Sequence, residues 1–296
     1  MSEPFLSVYL EINCLALAVR RPHNLPFKTL IFLFPDLSSM QERLNLAIAA
    51  AKEAAKITQS YFMSRDLRVD MKSDRTPVTQ ADKNTEKTLR EIIQKAFPDD
   101  GILGEEWDEK PGTSGFRWIL DPIDGTKSFI HGVPLYGTLI AVEYQGESVV
   151  GVISIPATGE MVYAAKGGGC WYTKNESEPV QAHVSQLSDP AEGLFLTSEV
   201  LTFDEINRRD IYEKLEKTFY LTRTWGDCYG YMLVATGRAE CIVDPVLSIW
   251  DAAALLPVIV EAGGKLTDFR GVTTHTSEQA IATNGLIHDK VLELVK

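Results

Sequence analysis

The sequence predicts an α/β fold of the α+β kind, on three observations. Short apolar runs separated by Gly and Pro clusters crowd the first half, the mark of a largely antiparallel sheet. The second half alternates strand-like and helix-like stretches instead. Ahead of both, Leu44, Ile48, Ala51, Ala55, Thr58 and Phe62 recur at steps of four and three, so a first helix has one apolar face.

The remaining elements follow in order. A second helix covers about 80–97 and stops at Pro98, which cannot continue it. Strands are expected at 117–121, 135–144, 147–155, 159–165 and 170–173, with Gly167, Gly168 and Gly169 turning the chain between the last two. No Lys-Ser or Lys-Thr follows those glycines, so they do not read as a phosphate loop. Further strands fit 193–198, 219–223, 239–243, 264–267 and 280–283. Helices fit 203–217, 227–237, 250–262 and 286–295. Residues 1–40 read as an extension outside the core, with Met40 as a plausible start. The division expected beyond it is 41–185 and 186–296.

Composition narrows the function classes. With 45% hydrophobic residues in 296, the chain can bury a substantial core. A formal net charge of −12 argues against nucleic acid or anionic membrane as a partner. The apolar run at 30–34 is too short to span a membrane, and it lies too far in for a signal peptide. Cys14, Cys170, Cys228 and Cys241 show neither C-x-x-C nor zinc spacing and read as reduced thiols of a cytoplasmic protein.

The chemistry concentrates in acidic side chains from four places: Asp82, Glu105, the pair Asp121 and Asp124, and Asp251. In Trp118-Ile-Leu-Asp121-Pro-Ile-Asp124-Gly-Thr126 an apolar run ends in two carboxylates, followed at once by Gly and Thr. Oxygen ligands of this kind suit hard cations such as Mg²⁺. Pro122 has no N–H and biases Asp121 toward an extended backbone, so the strand is not expected to continue as a regular ladder and the Ile123 carbonyl is free to turn inward. Gly125 permits close backbone approach to an anion, and the Thr126 hydroxyl can orient a water. Asp-Pro or Asp-Gly alone is an ordinary turn dipeptide. Thr79 followed by Asp82 is also a helix-capping pattern, and Glu105-Glu106 alone is an ordinary solvated pair.

Together these segments resemble the inositol monophosphatase superfamily. The stretch from Trp118 to His131 is similar to its first signature, and Trp250-Asp251 through Gly264 to its second. Gly104-Glu105-Glu106 matches the acidic loop, and Pro77-Val-Thr-Gln-Ala-Asp82 the early Thr-x-x-Asp segment. The resemblance covers about 41–296. It implies a layered α-β-α-β-α sandwich with metals between its halves. Two or three Mg²⁺ are implied: one on Glu105, Asp121 and the Ile123 carbonyl, one on Asp121, Asp124 and Asp251, and a weaker third near Glu105. Asp82 and Thr126 would orient the attacking water, and Gly125 and Thr126 would offer N–H groups to the phosphate. A homodimer is implied by the resemblance alone.

The leaving-group side is read from Arg223-Thr-Trp-Gly-Asp227-Cys-Tyr-Gly-Tyr231, which resembles the histidinol-phosphatase branch; inositol phosphatases usually carry a small residue where Asp227 stands. Asp244 lies where the family has an acidic substrate contact. Two carboxylates without a basic partner suit the cationic end of histidinol phosphate, and Asp227 as a mere helix cap is the bland reading. The expectation is thus a Mg²⁺-dependent phosphate monoesterase acting on a small-molecule ester, histidinol phosphate first. Inositol 1-phosphate or a broad range of sugar phosphates is the alternative. A non-catalytic metal- or phosphate-binding regulator would not need both Asp82 and Thr126.

Overall fold

The structure, a computed structural model, describes residues 37–65, 67–72 and 76–296. The chain divides into two units, Met1–Leu37 and Ser38–Lys296, and all that follows concerns the second, with Leu37 as the first residue of its first helix. Most of the expected extension, and Cys14 with it, lies outside the described residues. Its last four residues are helical: α1 (Leu37–Tyr61) starts before Met40, and Met40 is buried.

The α1 helix buries Leu44, Ala47, Ala51, Ala54 and Thr58, a stripe repeating every three or four residues. It packs with α2 (Gln80–Ala96) through Leu89 and Ile93. Between them runs a short antiparallel hairpin, β1 (Val69–Met71) with β2 (Pro77–Thr79).

Both helices cover one face of a seven-stranded sheet. Its strands are β3 (Gly101–Gly104), β4 (Phe116–Asp124), β5 (Gly137–Tyr144), β6 (Glu147–Ile155), β7 (Glu160–Ala165), β8 (Cys170–Lys174) and β9 (Val180–Gln181), in that spatial order. Only the β3–β4 pair is parallel. Strand alternation divides β4 between two cores: Trp118 and Leu120 face α1 and α2, while Ile119 faces the other way.

That other face packs on α6 (Asp227–Ala235) and α8 (Leu255–Glu261), and these also cover a second sheet. The second sheet orders β11 (Leu221–Arg223), β10 (Leu194–Leu196), β12 (Cys241–Asp244), β14 (Ala280–Thr283) and β13 (Lys265–Thr267). It is parallel across β11–β10–β12 and antiparallel beyond. Its outer face is closed by α4 (Leu201–Glu205), α5 (Arg209–Thr218) and α9 (His288–Val295). The layers therefore run helix, sheet, helix, sheet, helix, as expected. No described helix is long and apolar enough to cross a membrane.

Several expected elements differ in detail. The helix at 203–217 is two, split near Asn207, which has a φ of +56°. The helix at 250–262 is also two, α7 (Ile249–Ala252) and α8. Pro257 explains the second break, because it lacks the N–H that would bond the Ala253 carbonyl. Ser148 Oγ on β6 donates to that carbonyl instead, at 2.7 Å. Beside it, Gly151 lets the Ala254 carbonyl come close; a Cβ there would sit 2.2 Å from that oxygen. The hairpin, β3, β9 and the short helix α3 (Thr126–Ile130) were not expected.

Candidate active site

The site is assembled at the end of β4. As expected at Pro122, the ladder does not stay regular: the strand continues to Asp124 but with a register shift, Asp121 pairing with Leu139 and Asp124 with Gly137. Three residue steps on β4 thus oppose two on β5, a β-bulge. In a regular strand Asp121 and Asp124 would point to opposite faces; the extra residue brings them to one. The irregularity is held locally. Asp121 Oδ1 accepts the Ile123 N–H at 3.0 Å, and Thr138 Oγ1 donates to the Pro122 carbonyl at 2.9 Å. The Ile123 carbonyl accepts the Thr126 hydroxyl at 2.9 Å. A carbonyl has a second lone pair, so it can take a further partner.

Asp251 arrives from the second half of the chain. Carboxylate oxygens of Asp121, Asp124 and Asp251 all lie within 4.8 Å of one another. Glu105 joins through the parallel β3–β4 pair, which sets Gly104 opposite Leu120; the Glu105 N–H then donates to the Leu120 carbonyl at 3.2 Å.

Two of the acids are aimed by capping boxes. Asp82 Oδ2 accepts the Thr79 N–H at 2.8 Å and its hydroxyl at 2.6 Å. Asp251 Oδ2 accepts the Ser248 N–H at 2.7 Å. Both acids occupy the third position of their helices, α2 and α7. The capping reading of Asp82 is therefore realised, but it takes only one oxygen. Asp82 Oδ1 is buried with no hydrogen-bond partner.

Burial, then neighbouring carboxylates, push Asp121 well above the ordinary range; Glu105, Asp124 and Asp251 contribute. Asp124 is displaced in the same way by burial, Asp227 and Asp251. Burial raises Glu105 to about 7 against the pull of Lys72, and Asp82 to about 6. Lys72, which sequence reasoning missed, reaches both Glu105 and Glu106 with its Nζ at 2.6 Å. It comes from just beyond β1, and nothing in the local sequence marks it. Glu86, also missed, accepts the Glu106 N–H at 2.8 Å and Arg90 Nε at 2.7 Å, and so steadies the acidic loop. Its only signal was its place one turn after Asp82.

Gly125 has a φ of +77°, and a Cβ there would meet Asp227 Oδ2 at 2.8 Å, so conformation and space both demand glycine. Asp124 Oδ2 accepts the Cys228 N–H. A cavity of about 90 Å³ opens here, lined by Asp124, Ser198, Asp227, Tyr231, Leu247 and Asp251 among others. A larger depression of about 530 Å³ between α1 and α2 is lined by none of the converging carboxylates. Asp227 makes no side-chain cap on α6, against the bland reading, and its φ is +51°. Burial raises it to about 7, reinforced by Asp244 and Asp251.

Asp244 differs from expectation. It is 2% exposed and is not among the cavity-lining residues. Oδ1 accepts Thr197 Oγ1 and the Ser198 N–H; Oδ2 accepts Ser198 Oγ and Tyr231 OH. Four donors fill the four acceptor positions of a carboxylate. Where a direct substrate contact was expected, the structure shows a buried carboxylate held by Thr197, Ser198 and Tyr231.

A family model described as the inositol monophosphatase family matches residues 39–296. The chain belongs to the inositol monophosphatase family. A histidinol-phosphatase of Chlorobaculum parvum is 47% identical over 232 residues, covering 78% of this chain and 88% of that one. A histidinol-phosphatase of Mycobacterium tuberculosis is 39% identical over 249 residues, covering 84% and 96%. Among solved structures, the extragenic suppressor protein suhB of Bartonella henselae superposes with a TM-score of 0.79 at 30% identity, covering 86% of this chain and 98% of that one. This inositol monophosphatase family member is a phosphoric monoester hydrolase.

The residues present fit a metal of the kind this family uses. The donor set is entirely oxygen. Asp124 and Asp251 both raise Asp121, and Asp251 raises Asp124, so a cation among them would relieve that repulsion.

Proposed function

We propose that this protein hydrolyses L-histidinol phosphate to L-histidinol and inorganic phosphate, with Mg²⁺ as the cofactor. Asp227 carries the reading: it lines a cavity whose charged lining residues are Asp124, Asp227 and Asp251, with no basic residue in the lining; Lys127, which pulls the Asp227 carboxyl down, is itself paired with Glu199. Such a wall favours an ester whose leaving group is a cation, because an unpaired carboxylate is costly to bury and a charge-assisted contact relieves it. The two relatives named histidinol-phosphatase support the same choice.

The chain's own groups take the following roles. Glu105, Asp121 and the Ile123 carbonyl would hold one Mg²⁺, and Asp121, Asp124 and Asp251 a second. When bound, these ions neutralise phosphate charge and acidify water near neutral pH. Asp82 Oδ1, buried and without a partner, accepts a hydrogen from the attacking water. The Thr126 hydroxyl donates to the Ile123 carbonyl, so its own oxygen remains an acceptor that fixes the same water. Gly125 and Thr126 present N–H groups at the start of α3, where no intrahelical acceptor exists, and these receive the phosphate. Asp227 receives the ammonium or protonated imidazole of the leaving group. No covalent nucleophile is required, since phosphoryl transfer needs mainly positioning and charge neutralisation.

The test is phosphate release from L-histidinol phosphate and from inositol 1-phosphate, each with Mg²⁺ and with excess chelator. The expected result is a higher kcat/KM for histidinol phosphate and no turnover in chelator. Faster turnover of inositol 1-phosphate would overturn the substrate assignment. Full activity in chelator would overturn the metal.

A further inference from the structure

We infer that Glu86 and Arg90 are positioning residues of the metal site: from one face of α2 they hold the main chain of the acidic loop just past Glu105, and so set how tightly the site takes its divalent ion. Mg²⁺ as that ion, and Glu105 as one of its ligands, rest on the reading above; the hold on the loop is geometric.

The first sheet stops supporting the chain at the ligand itself. β3 ends at Gly104, the Glu105 N–H still reaches the Leu120 carbonyl at 3.2 Å, and the next strand, β4, does not begin until Phe116. The Glu106 N–H therefore needs an acceptor outside the ladder. Glu86 supplies it: Oε2 accepts that N–H at 2.8 Å, while Oε1 accepts Arg90 Nε at 2.7 Å. Arg90 reaches one residue further, donating from Nη2 to the Trp107 carbonyl at 3.0 Å. Glu105 thus has its own N–H fixed by β4 and the two following residues fixed by α2. Lys72, by contrast, meets the side chains of Glu105 and Glu106.

The α2 helix is suited to be the fixed end. Leu89 and Ile93 bury it against the first sheet, and its first turn is closed by the capping box of Thr79 and Asp82. Asp82, Glu86 and Arg90 follow at steps of four, on one face. Glu86 is 0% exposed and lies against the end of β3: a Cβ on Gly104 would come 2.1 Å from Oε1, so glycine makes room for the carboxylate. One helix face therefore carries both the acid that receives a hydrogen from the attacking water and the hold on the loop that brings a metal ligand. Without that hold the loop must be ordered at the moment of binding, and the affinity falls by the cost of ordering it.

Calorimetric titration of the metal-stripped, substrate-free protein with MgCl₂ tests this in wild type, Glu86→Ala, Glu86→Gln and Arg90→Ala. Glu86→Ala should weaken Mg²⁺ binding by about 10–100-fold, the usual loss when a group that orients a metal ligand is removed. Glu86→Gln keeps an acceptor for the Glu106 N–H and should recover most of that loss. Arg90→Ala should weaken binding by a smaller factor, because the Glu106 N–H stays held. In steady-state assays the Mg²⁺ concentration for half-maximal activity should rise in the same order, with kcat at saturating Mg²⁺ changed far less. Wild-type affinity in Glu86→Ala, even with a lower melting temperature, would make Glu86 structural only and overturn the inference. Equal losses in Glu86→Gln and Glu86→Ala would put the effect in the charge rather than in the hold on the loop, and would overturn it too. Should neither Glu86 variant fold, Arg90→Ala decides alone, an unchanged affinity overturning the inference. If wild type itself takes up no Mg²⁺, the cofactor reading falls and the inference with it. If wild type binds and the variants bind alike, only the inference falls.

Discussion

Asp121 lies deepest among the clustered acids, 2% exposed, with oxygens near both Asp124 and Asp251. If it bridges two cations, Asp121→Asn removes charge from both at once, whereas Glu105→Gln disturbs one. We expect Asp121→Asn to lower kcat by at least ~10²-fold, on the scale of losing one preorganised stabilising group, and more than Glu105→Gln does. Steady-state kinetics on the two folded variants checks the order. The same carboxyls set a pH dependence of stability. Glu105 and Asp227 are raised to about 7 and Asp82 to about 6, chiefly by burial. The folded state then binds protons more tightly than the unfolded one, so stability falls as pH rises. Without divalent cation the melting temperature should drop between the ordinary carboxylate range near pH ~4 and pH ~7. Added Mg²⁺ should remove most of that drop at neutral pH, because metal bound to the native state stabilises it by mass action. Thermal melts across that range, with Mg²⁺ and with chelator, read both effects.

Elements place these side chains by small departures from regularity. The bulge in β4 turns two carboxylates to one face, and two capping boxes fix Asp82 and Asp251. The break between α7 and α8 leaves Asp251 on a single turn ahead of the longer helix. Ser148 holds that break by donating to the buried Ala253 carbonyl. Ser148→Ala should destabilise by about 1–3 kcal/mol, the cost of an unmet buried acceptor. Urea unfolding measures it; a change below a few tenths of a kcal/mol would mean another donor takes over. The glycine turn between β7 and β8 binds an anion after all, but an internal one. The Gly167 and Gly169 N–H groups donate to the Glu261 carboxylate at 2.8 and 2.9 Å, tying that turn to the end of α8.

At the scale of the molecule, five layers bring residues 72 to 251 into one cleft. The start of α1 is secured by Arg43, which pairs with both oxygens of Asp100 at 2.8 and 2.9 Å between the rings of Phe97 and Phe116. Trp118 Nε1 donates to the same aspartate at 2.9 Å. That anchor lies beyond Met40, so a chain beginning at Met40 keeps it while losing the Ser39 groups that Arg43 also contacts. Such a chain should fold cooperatively and keep its phosphatase activity. Loss of soluble expression on removing residues 1–39 would show that they are part of the fold.

What the sequence determined by itself is what short-range physics writes into contiguous residues. The apolar stripe of α1, the capping pair Thr79 and Asp82, the Asp-Pro-Ile-Asp-Gly-Thr string and the need for glycine at 125 were all legible there. The family resemblance and the candidate acids Asp82, Glu105, Asp121, Asp124 and Asp251 followed from such strings, with Gly104-Glu105-Glu106 and Trp250-Asp251 through Gly264 among them. Only the tertiary structure decided how the acids are used. It bulged β4, brought Lys72 onto Glu105, met the carbonyl that Pro257 leaves unbonded with a hydroxyl 105 residues away, and buried Asp244 under donors from Thr197, Ser198 and Tyr231. Asp227 and Asp244 look alike in the sequence, each an acid near the end of an element. One ends facing a cavity and the other saturated beneath it, because a carboxylate's role depends on which donors reach it. Those donors come from parts of the chain that meet only when the two sheets pack.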